Sequence, residues 1–409
     1  MPILLWHNIE RSFSVNQKIY LDNAATTEIS NSVFSSMIPY LTQKFGNPSS
    51  IYDLGIENKQ ALMTARENIA DVLECNAENI YFTSGGTESD NWALISSAES
   101  RKEEGKHIIT TKIEHHAILH TCDYLEKRGF KITYLDVDEQ GMVSLSQLKQ
   151  ALGNDTILVS IMTANNEIGT IQKMQEIGDL LKKHPAYFHT DAVQAFGHIP
   201  VMPTKWNVDM LSASGHKFYG PKGVGFLYIR DGISLPPFIH GGKQEKGKRA
   251  GTENVASIVG MGKAAEFANK TMNHNIVKIT ELRDYMIYRI EHEIPYSHIN
   301  GPRKRRLPGN INISFAFIDG ENAVILLDME GVSCSSGSAC SSGEKLSSHV
   351  LQAIHLPEEY AKGTLRFSLN EKTTKEEIDY TIEKLKEVIE EERKRNPSYT
   401  SFLKWNYKR

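Results

Sequence analysis

One lysine stands where a short hydrophobic run meets a glycine-rich turn. Residues 212–217 read Ser-Ala-Ser-Gly-His-Lys and end on Lys217, and residues 220–225 add three further glycines. A lysine in a crowded pocket can lose its proton readily and act as an imine-forming amine. Most lysines are solvated surface groups, so this segment supports an active site only together with other motifs.

A candidate phosphate cradle lies between a predicted strand and a predicted helix. Residues 83–88 read Thr-Ser-Gly-Gly-Thr-Glu, which places Gly86 and Thr87 at a helix N-terminus. Free backbone N–H groups and the helix dipole both favour an anion at such a position. Because Thr87 would cap a helix in any case, an ordinary N-cap on a flexible turn is the alternative.

Two other predicted strands end in residues that suit a flat, cationic ring. Asp191 closes a buried-type strand, where a carboxylate is costly unless it has a cationic partner such as a protonated pyridine nitrogen. His115 follows another strand and could stack on such a ring. The alternatives are a helix-capping aspartate and a histidine that belongs to the core or the surface.

A thiol and an arginine complete the candidate chemistry. Cys340 lies in a polar loop of small residues, 335–343, which suits an exposed nucleophile. Arg366, within a predicted strand, is either a fork for a carboxylate or part of a structural ion pair. There is no Cys-x-x-Cys motif for zinc and no disulfide framework. The other cysteines are interpreted as packing residues: Cys75, Cys122 and Cys334.

The elements around these residues predict an α/β fold. From about residue 80 to 230, short β-branched or aromatic runs alternate with amphipathic stretches, which indicates a mainly parallel sheet covered by helices on both faces. Open sheets of this kind bind ligands at the carboxyl ends of their strands. A long helix over about 264–294 leads to a smaller α+β domain, and the tail after Pro397 is expected to be loosely held.

Composition limits the classes of partner. The chain has 409 residues, with 46 basic and 50 acidic side chains and a formal net charge of −4. No basic surface for nucleic acid or membrane is indicated, and no apolar run approaches a membrane span. We also find no signal-peptide pattern, so the expected location is cytoplasmic.

Taken together, these motifs resemble the cysteine desulfurases (NifS/IscS-like), a branch of the class V aminotransferase family of enzymes that use pyridoxal 5'-phosphate. The resemblance extends from about residue 20 to 380 and includes residues 20–27 (Tyr-Leu-Asp-Asn-Ala-Ala-Thr-Thr) and 164–169 (Ala-Asn-Asn-Glu-Ile-Gly). The other matching segments are 46–50, 83–88, 189–194, 214–217, 249–254 and 336–340.

The resemblance implies the PLP-dependent transferase fold type I and two domains. The large PLP-binding α/β domain would span residues 20–265. The small α+β domain would span residues 266–409 together with 1–19, and would carry the loop with Cys340.

It also implies a role for each candidate residue. Lys217 would be the Schiff-base lysine, Asp191 would pair with the pyridinium nitrogen, and His115 would stack on the ring and move a proton. The other assignments are Asn166 and Gln194 at the phenolic oxygen, Gly86, Thr87, Ser214 and His216 at the phosphate, Thr252 at the phosphate of the other subunit, and Asn23 and Arg366 at the substrate carboxylate.

The implied reaction removes sulfur from L-cysteine. Lys217 would take the Cα proton, and the Cys340 thiolate would attack the substrate sulfur and become a persulfide, leaving L-alanine. The implied partners are a second copy of the chain and a sulfur acceptor, either a scaffold for iron–sulfur clusters or a tRNA-thiolating enzyme. No metal is required, although Cys340 is a candidate transient ligand of an iron–sulfur cluster.

Two other functions stay open at this point. A related enzyme, such as a selenocysteine lyase or another aminotransferase of this class, would share the fold, and a transaminase would not need Cys340. A catalytically idle scaffold for sulfur transfer is a third interpretation, against which the intact Lys217, Asp191 and Cys340 argue. Four positions depart from the family pattern: Tyr52, Lys243, Ser347 and the run at 370–372 (Asn-Glu-Lys).

Overall fold

The computed structural model describes residues 18–336 and 348–406, the last three as backbone only. Its strands are β1 (Ile19–Tyr20), β2 (Ile80–Thr83), β3 (His107–Thr111), β4 (Lys131–Leu135), β5 (Thr156–Ser160), β6 (Tyr187–Asp191), β7 (Met210–Ser214), β8 (Gly225–Ile229), β9 (Ser297–Ile299), β10 (Asn310–Phe315), β11 (Val332–Ser333), β12 (Ser335–Ser336) and β13 (Thr364–Ser368). Its helices are α1 (Asn31–Thr42), α2 (Asp53–Leu73), α3 (Gly86–Arg101), α4 (His116–Glu126), α5 (Leu145–Ala151), α6 (Met174–Leu181), α7 (Val255–Glu293), α8 (Gly320–Met329), α9 (His349–Ala353), α10 (Glu358–Ala361), α11 (Lys375–Arg395) and α12 (Pro397–Asn406).

Seven strands form the main sheet, in the order β2-β8-β7-β6-β5-β3-β4. Strands β3 to β7 pair in parallel, and β8 runs antiparallel to both of its neighbours, β2 and β7. Every residue of β3, β5, β7 and β8 is buried, as expected for strands covered on both faces. The predicted mainly parallel α/β sheet is therefore confirmed.

The carboxyl ends of the parallel strands bring the candidate residues to one edge. Strand β6 ends at Asp191 and β7 ends at Ser214, three residues before Lys217. His115 caps α4 shortly after β3, and α3 begins at Gly86 shortly after β2. This is the edge at which open α/β sheets bind ligands.

A second, smaller unit is built around an antiparallel sheet. Strands β12, β13, β10 and β9 pair in that order, and β1 pairs with β11 in parallel. Its hydrophobic core combines Ile19 and Leu21 with residues between 279 and 389. In contrast, Val350, Leu351 and Ile354 pack with the core of the large sheet. The domain boundaries between residues 19 and 20 and after residue 265 stay a prediction.

Helix α7 begins at Val255, nine residues earlier than the sequence predicts, and Asn254 caps it. Glycines near its start weaken the helical pattern in the sequence. In the structure, a Cβ on Gly260 would lie 2.6 Å from the Met37 sulfur, and one on Gly262 would lie 2.5 Å from the Ala65 Cα. Glycine is therefore needed where α7 crosses α1 and α2 closely.

The expectation of a loose tail after Pro397 is wrong for the residues described. Helix α12 follows α11 directly, and the rings of Tyr399 and Phe402 lie 5.4 and 5.1 Å from that of Phe317. Aromatic packing of this kind orders a terminus that composition alone suggests is mobile. None of the helices in the described ranges combines the length and apolar character needed to cross a membrane.

Candidate active site

Lys217 follows β7 on a short 3-10 turn and points toward the segment that follows β1. Its Nζ donates hydrogen bonds to the carbonyl oxygens of Ala24, at 2.6 Å, and Ala25, at 2.7 Å. His198 Nε2 lies 2.7 Å from the Lys217 carbonyl oxygen and holds the backbone. The amine therefore lies at the carboxyl edge of the sheet, where the beginning of the chain crosses it.

Asp191 is buried at the end of β6 and keeps one carboxylate oxygen available. Its Oδ1 accepts a hydrogen bond from the Val193 N–H at 2.8 Å, while Oδ2 has no partner among the described residues. Burial raises the pKa of this carboxyl, and the Val193 N–H and the positive charge of Lys217 oppose the shift. A protonated ring nitrogen placed against Oδ2 would supply the missing partner and favour the ionised form.

The predicted phosphate cradle is a single cavity. Gly86, Thr87, Ser214 and His216 all line a cavity of about 390 Å³ at the start of α3. The helix has no side-chain cap, since its N-cap residue is Gly85, so its first N–H groups face this space. These observations fit a bound phosphate group.

Gly86 is also required by close packing. A Cβ at this position would lie 2.6 Å from the Val193 Cγ2, on the segment that carries Asp191. The start of α3 and the segment after β6 are therefore packed directly against each other at Gly86 and Val193.

The cradle contains an acidic residue that a nearby arginine neutralises. Glu88, in the first turn of α3, accepts two hydrogen bonds from Arg249, at 2.8 and 3.1 Å, and one from the Ser84 N–H at 2.9 Å. Burial alone raises the pKa of Glu88, but these hydrogen bonds outweigh it and the net shift is downward. The sequence analysis assigned no role to Arg249, although the segment 249–254 belongs to the matched motifs.

His115 is a neutral ring beside the cradle. Burial, followed by the positive charge of Lys217, lowers its pKa to about 4. Its Nδ1 accepts a hydrogen bond from the Ala117 N–H at 3.1 Å, so the proton of the neutral ring is on Nε2. His115 and Thr87 line the same neighbouring cavity, which fits a ring that stacks on a flat cofactor.

The amide side chains expected around the ring have different surroundings. Gln194 Nε2 donates to the Ala24 carbonyl oxygen at 3.0 Å, which places it beside Lys217. Asn166 is linked to the site through its backbone oxygen, which accepts from Arg366 Nη1 at 3.1 Å. Asn23 donates to the Ser368 carbonyl oxygen at 2.8 Å and accepts from Asn370 at 3.0 Å, so protein groups occupy both ends of its amide.

Arg366 is buried in β13, where it forms an ion pair and keeps one N–H donor without a partner among the described residues. Its Nη2 donates to Asp22 Oδ1 at 2.9 Å and to Ser335 Oγ at 3.1 Å, and Nη1 donates to the Asn166 carbonyl oxygen. Its Nε is buried without a hydrogen-bond partner among the described residues. The structural ion pair and the carboxylate fork are therefore compatible, and Asp22 is a partner that sequence analysis missed.

Two predicted site residues are not placed at this centre. Thr252 is exposed and does not line the cradle cavity. Cys340 and Ser347 lie outside the described residues. The segment containing them begins after Ser336 and ends before Ser348, whose hydroxyl donates to the carboxylate of Glu167, the residue after Asn166.

The other cysteines behave as packing residues. Burial raises the pKa of Cys75 and of Cys334 to about 12 in each case, and it raises the pKa of Cys122 as well. Thiols of this kind stay protonated at neutral pH and are poor nucleophiles. The structure therefore offers no competitor to Cys340 among the cysteines that it describes.

Comparisons with known proteins agree on the family. A family model described as aminotransferase class-V matches residues 19–381. A cysteine desulfurase IscS from Dictyoglomus turgidum is 54% identical, covering 94% of this chain and 97% of its own, and one from Methanosarcina thermophila is 50% identical, covering 93% and 94%. Among solved structures, a NifS-like protein superposes with a TM-score of 0.86 at 40% identity, covering 91% of this chain and 99% of its own. SspA, solved in complex with cysteine, superposes with a TM-score of 0.76 at 36% identity, covering 86% and 99%.

Proposed function

The chain belongs to the class-V aminotransferases and, within them, to the cysteine desulfurases, and we propose that Lys217, Asp191 and Cys340 carry its chemistry. A cysteine desulfurase takes sulfur from L-cysteine and releases L-alanine. The observation that best supports the assignment is the shared edge of the sheet, where Lys217 Nζ, the available Asp191 oxygen and the uncapped start of α3 meet.

The residues fit pyridoxal phosphate, the cofactor of this family. Its phosphate would lie in the cradle formed by Gly86, Thr87, Ser214 and His216, and its ring nitrogen would face Asp191 Oδ2. When bound, the cofactor supplies an electron sink that stabilises negative charge on the substrate Cα.

The chain's own groups would move the proton at that carbon. Lys217 Nζ donates to two carbonyl oxygens, so it is held in a defined place at the edge of the sheet from which it can take up the Cα proton. His115, neutral with its proton on Nε2, lies on the other side of the cradle and is the second group we assign to proton movement.

Arg366 would hold the substrate carboxylate. The buried Nε, without a partner among the described residues, is the donor available to it, while Asp22 and Ser335 orient the guanidinium through Nη2. A guanidinium has five N–H donors, so an arginine that pairs with one carboxylate can still bind a second anion.

Cys340 would then accept the sulfur. Its thiolate attacks the substrate Sγ, a sulfur–sulfur bond forms, the Cβ–Sγ bond breaks, and its electron pair stays with Cβ, which takes up a proton. Ser335 lies opposite Arg366 in the sheet, and Cys340 follows Ser336 by four residues. Four residues of extended chain span about 14 Å, so the thiol can reach the carboxylate site.

A second copy of the chain would complete the assembly. Residues of α1 and of the segment leading to α2 expose Phe34, Leu41, Phe45 and Ile51, which are 53%, 62%, 73% and 94% accessible. Clusters of exposed large apolar side chains mark interaction surfaces. We call this region the α1–α2 surface and propose that it forms a homodimer contact, with the exposed Thr252 reaching the phosphate site of the partner.

The persulfide sulfur would pass to a second protein, either a scaffold for iron–sulfur clusters or a tRNA-thiolating enzyme. The direct test of the function is mass spectrometry of the peptide containing Cys340 after incubation with L-cysteine. We expect one added sulfur in the wild type and none in Lys217→Ala, with Cys75→Ala as a control that keeps the modification. If Cys340→Ala releases alanine from cysteine at the wild-type rate, the proposal is wrong.

A further inference from the structure

A layer of polar side chains lies directly beneath the cofactor-facing residues. Strand β6 carries His189 two positions before Asp191, and β7 carries Ser212 two positions before Ser214, so each pair shares one face of its strand. Helix α3 carries Asp90 one turn after the cradle. The elements that hold the cofactor therefore each contribute a second polar residue at greater depth.

His189 forms a hydrogen-bonded chain with two serines, and Asp90 lies beside it. His189 lies with Nδ1 2.9 Å from Ser160 Oγ and with Nε2 3.0 Å from Ser212 Oγ. Asp90 Oδ1 is 3.6 Å from His189 Nε2 and is buried without a hydrogen-bond partner among the described residues. All four side chains are buried, so water does not separate them from one another.

The hydrogen-bond distances alone allow the donors and acceptors of this chain to be arranged in either direction. The charges around Asp90 decide between the two arrangements. The titratable groups facing Asp90 are His189 and Asp191 on β6 and Glu114 after β3, and none of the described lysines or arginines forms an ion pair with it. An ionised carboxylate buried next to other acids and without a cation is strongly unfavourable.

The ionisation tendencies of the groups agree with this argument. Burial, reinforced by the negative charge of Asp191, raises the pKa of Asp90 well above its usual range. Burial lowers the pKa of His189 to about 3 and raises that of Glu114 to about 8. Among the described residues, the cation that acts on Asp191 is Lys217, on the turn after β7.

We propose that Asp90 is protonated and lies against an uncharged hydrogen-bonded chain of Ser212, His189 and Ser160, which positions Asp191 at the end of β6. In this state Asp90 carries its proton beside His189, Ser212 donates to His189 Nε2, and His189 Nδ1 donates to Ser160. Asp191 is then the single negative charge beneath the cofactor ring. The inference rests on the proposed function, because it takes Asp191 as the partner of the ring nitrogen.

The reason for a neutral Asp90 follows from carboxylate repulsion. Two carboxylates in one buried site cannot both ionise at neutral pH, so one of them keeps its proton. If Asp90 were the ionised member, Asp191 would be driven toward its neutral form and would lose its attraction for a protonated ring nitrogen. Lys217 favours the ionised form of Asp191, so the proton stays on the deeper residue.

The first test uses infrared difference spectroscopy on the purified protein at neutral pH, with and without cofactor. Asp90→Asn is expected to lose the carbonyl band of a protonated carboxyl. Glu114→Gln, another buried acid, should lose a similar band, and Asp123→Asn, on the surface, should lose bands of an ionised carboxylate. Loss of ionised-carboxylate bands in Asp90→Asn overturns the proposal, whatever Asp191 does.

The second test separates positioning from mere filling of space. His189→Leu breaks the chain, whereas His189→Gln keeps polar atoms that can bridge the two serines. We expect His189→Leu to raise the dissociation constant for pyridoxal phosphate at least about tenfold and to move the pH midpoint of the lysine–cofactor absorbance band, with His189→Gln recovering most of both.

Equal effects of the two His189 variants, or none in either, contradict a positioning role, provided that circular dichroism shows both to be folded. Asp191→Ala distinguishes a failure of the proposed function. If Asp191→Ala leaves cofactor binding unchanged, the assignment of Asp191 fails, even when the infrared result confirms a protonated Asp90.

Discussion

Gln194 and Lys217 donate to the same oxygen atom, the carbonyl of Ala24, over 3.0 and 2.6 Å. The segment after β1, which packs with the small unit, therefore supports the lysine and the amide that flank the cofactor site. This contact joins the beginning of the chain to the large sheet at the point where chemistry is proposed.

The lysine gives the most direct prediction. Lys217→Ala removes the amine that moves the Cα proton, so alanine release from L-cysteine should fall about 10³-fold or more. The exposed Lys205 provides a matched control, and Lys205→Ala should keep full activity. Alanine quantified over time measures both. A Lys217→Ala enzyme with activity close to the wild type would refute the assignment.

Arg249 should matter through Glu88 rather than through substrate. Replacing Arg249 with Ala leaves the Glu88 carboxylate without its bidentate partner inside the phosphate cradle, so we expect cofactor affinity to fall about tenfold, the equivalent of about 1.4 kcal/mol. In the double variant Arg249→Ala with Glu88→Gln the negative charge is gone, and affinity should recover. Absorbance titration with pyridoxal phosphate measures the dissociation constant. An unrecovered double variant would mean that Arg249 acts by another route.

The packing of Gly86 against Val193 predicts a compensating pair. Gly86→Ala forces a Cβ within 2.6 Å of Val193 Cγ2 and should lower the free energy of unfolding by about 1–3 kcal/mol while displacing Asp191. Val193→Ala in the same chain removes the clashing methyl group and should restore stability. Urea unfolding of the single and double variants measures the difference. If the two substitutions are additive, the contact is not the cause.

Glu167 predicts a pH dependence of stability. Burial raises its pKa to about 7 from the ordinary 4.5, although Ser348 and Arg366 partly oppose the shift. The folded state then holds a proton that the unfolded state has lost, so this contribution to stability is present below pH 4.5 and is lost as the pH rises to 7. Relative to Glu167→Gln, the wild type should lose about 1–3 kcal/mol of unfolding free energy across that window. Glu359→Gln, on the surface, should show no such difference. If the difference in unfolding free energy between the wild type and Glu167→Gln is the same at every pH, the raised pKa of Glu167 is contradicted.

The α1–α2 surface predicts the oligomeric state. Ile51→Glu places a charge where we expect the second copy, so sedimentation should show a monomer, and cofactor affinity should fall because Thr252 of the partner is lost. Ile325 on α8 is 60% accessible and outside this surface. Ile325→Glu should therefore stay dimeric. A wild-type protein that sediments as a monomer would remove the basis of this prediction.

Strand ends were the most predictable part of the molecule. Lys217, Asp191 and Gly86 follow short hydrophobic runs that could be read as strands, and a parallel sheet brings such ends to one edge. Their partners could not be predicted in the same way. Arg249 lies 161 residues from Glu88, and Arg366 lies 344 from Asp22, so only the folded chain shows that each pair meets.

Helix boundaries were less predictable where close packing overrides propensity. The first turns of α7 contain glycines that argue against a helix, yet those glycines let it cross α1 and α2. The order of α12 depends on Tyr399 and Phe402 packing against Phe317, which lies on a loop about 80 residues earlier in the chain. In both cases the deciding contacts are tertiary.

Helix α7 runs without interruption for 39 residues, from the core of the large sheet to the core of the small unit. At 1.5 Å per residue it is about 58 Å long, and bending it would break backbone hydrogen bonds. The connection that α7 makes between the two units is therefore rigid and contains no hinge. A change in the arrangement of the two units would therefore act on the other crossings between them, such as the one after β1, and a shift there would move Ala24, which holds Lys217 and Gln194.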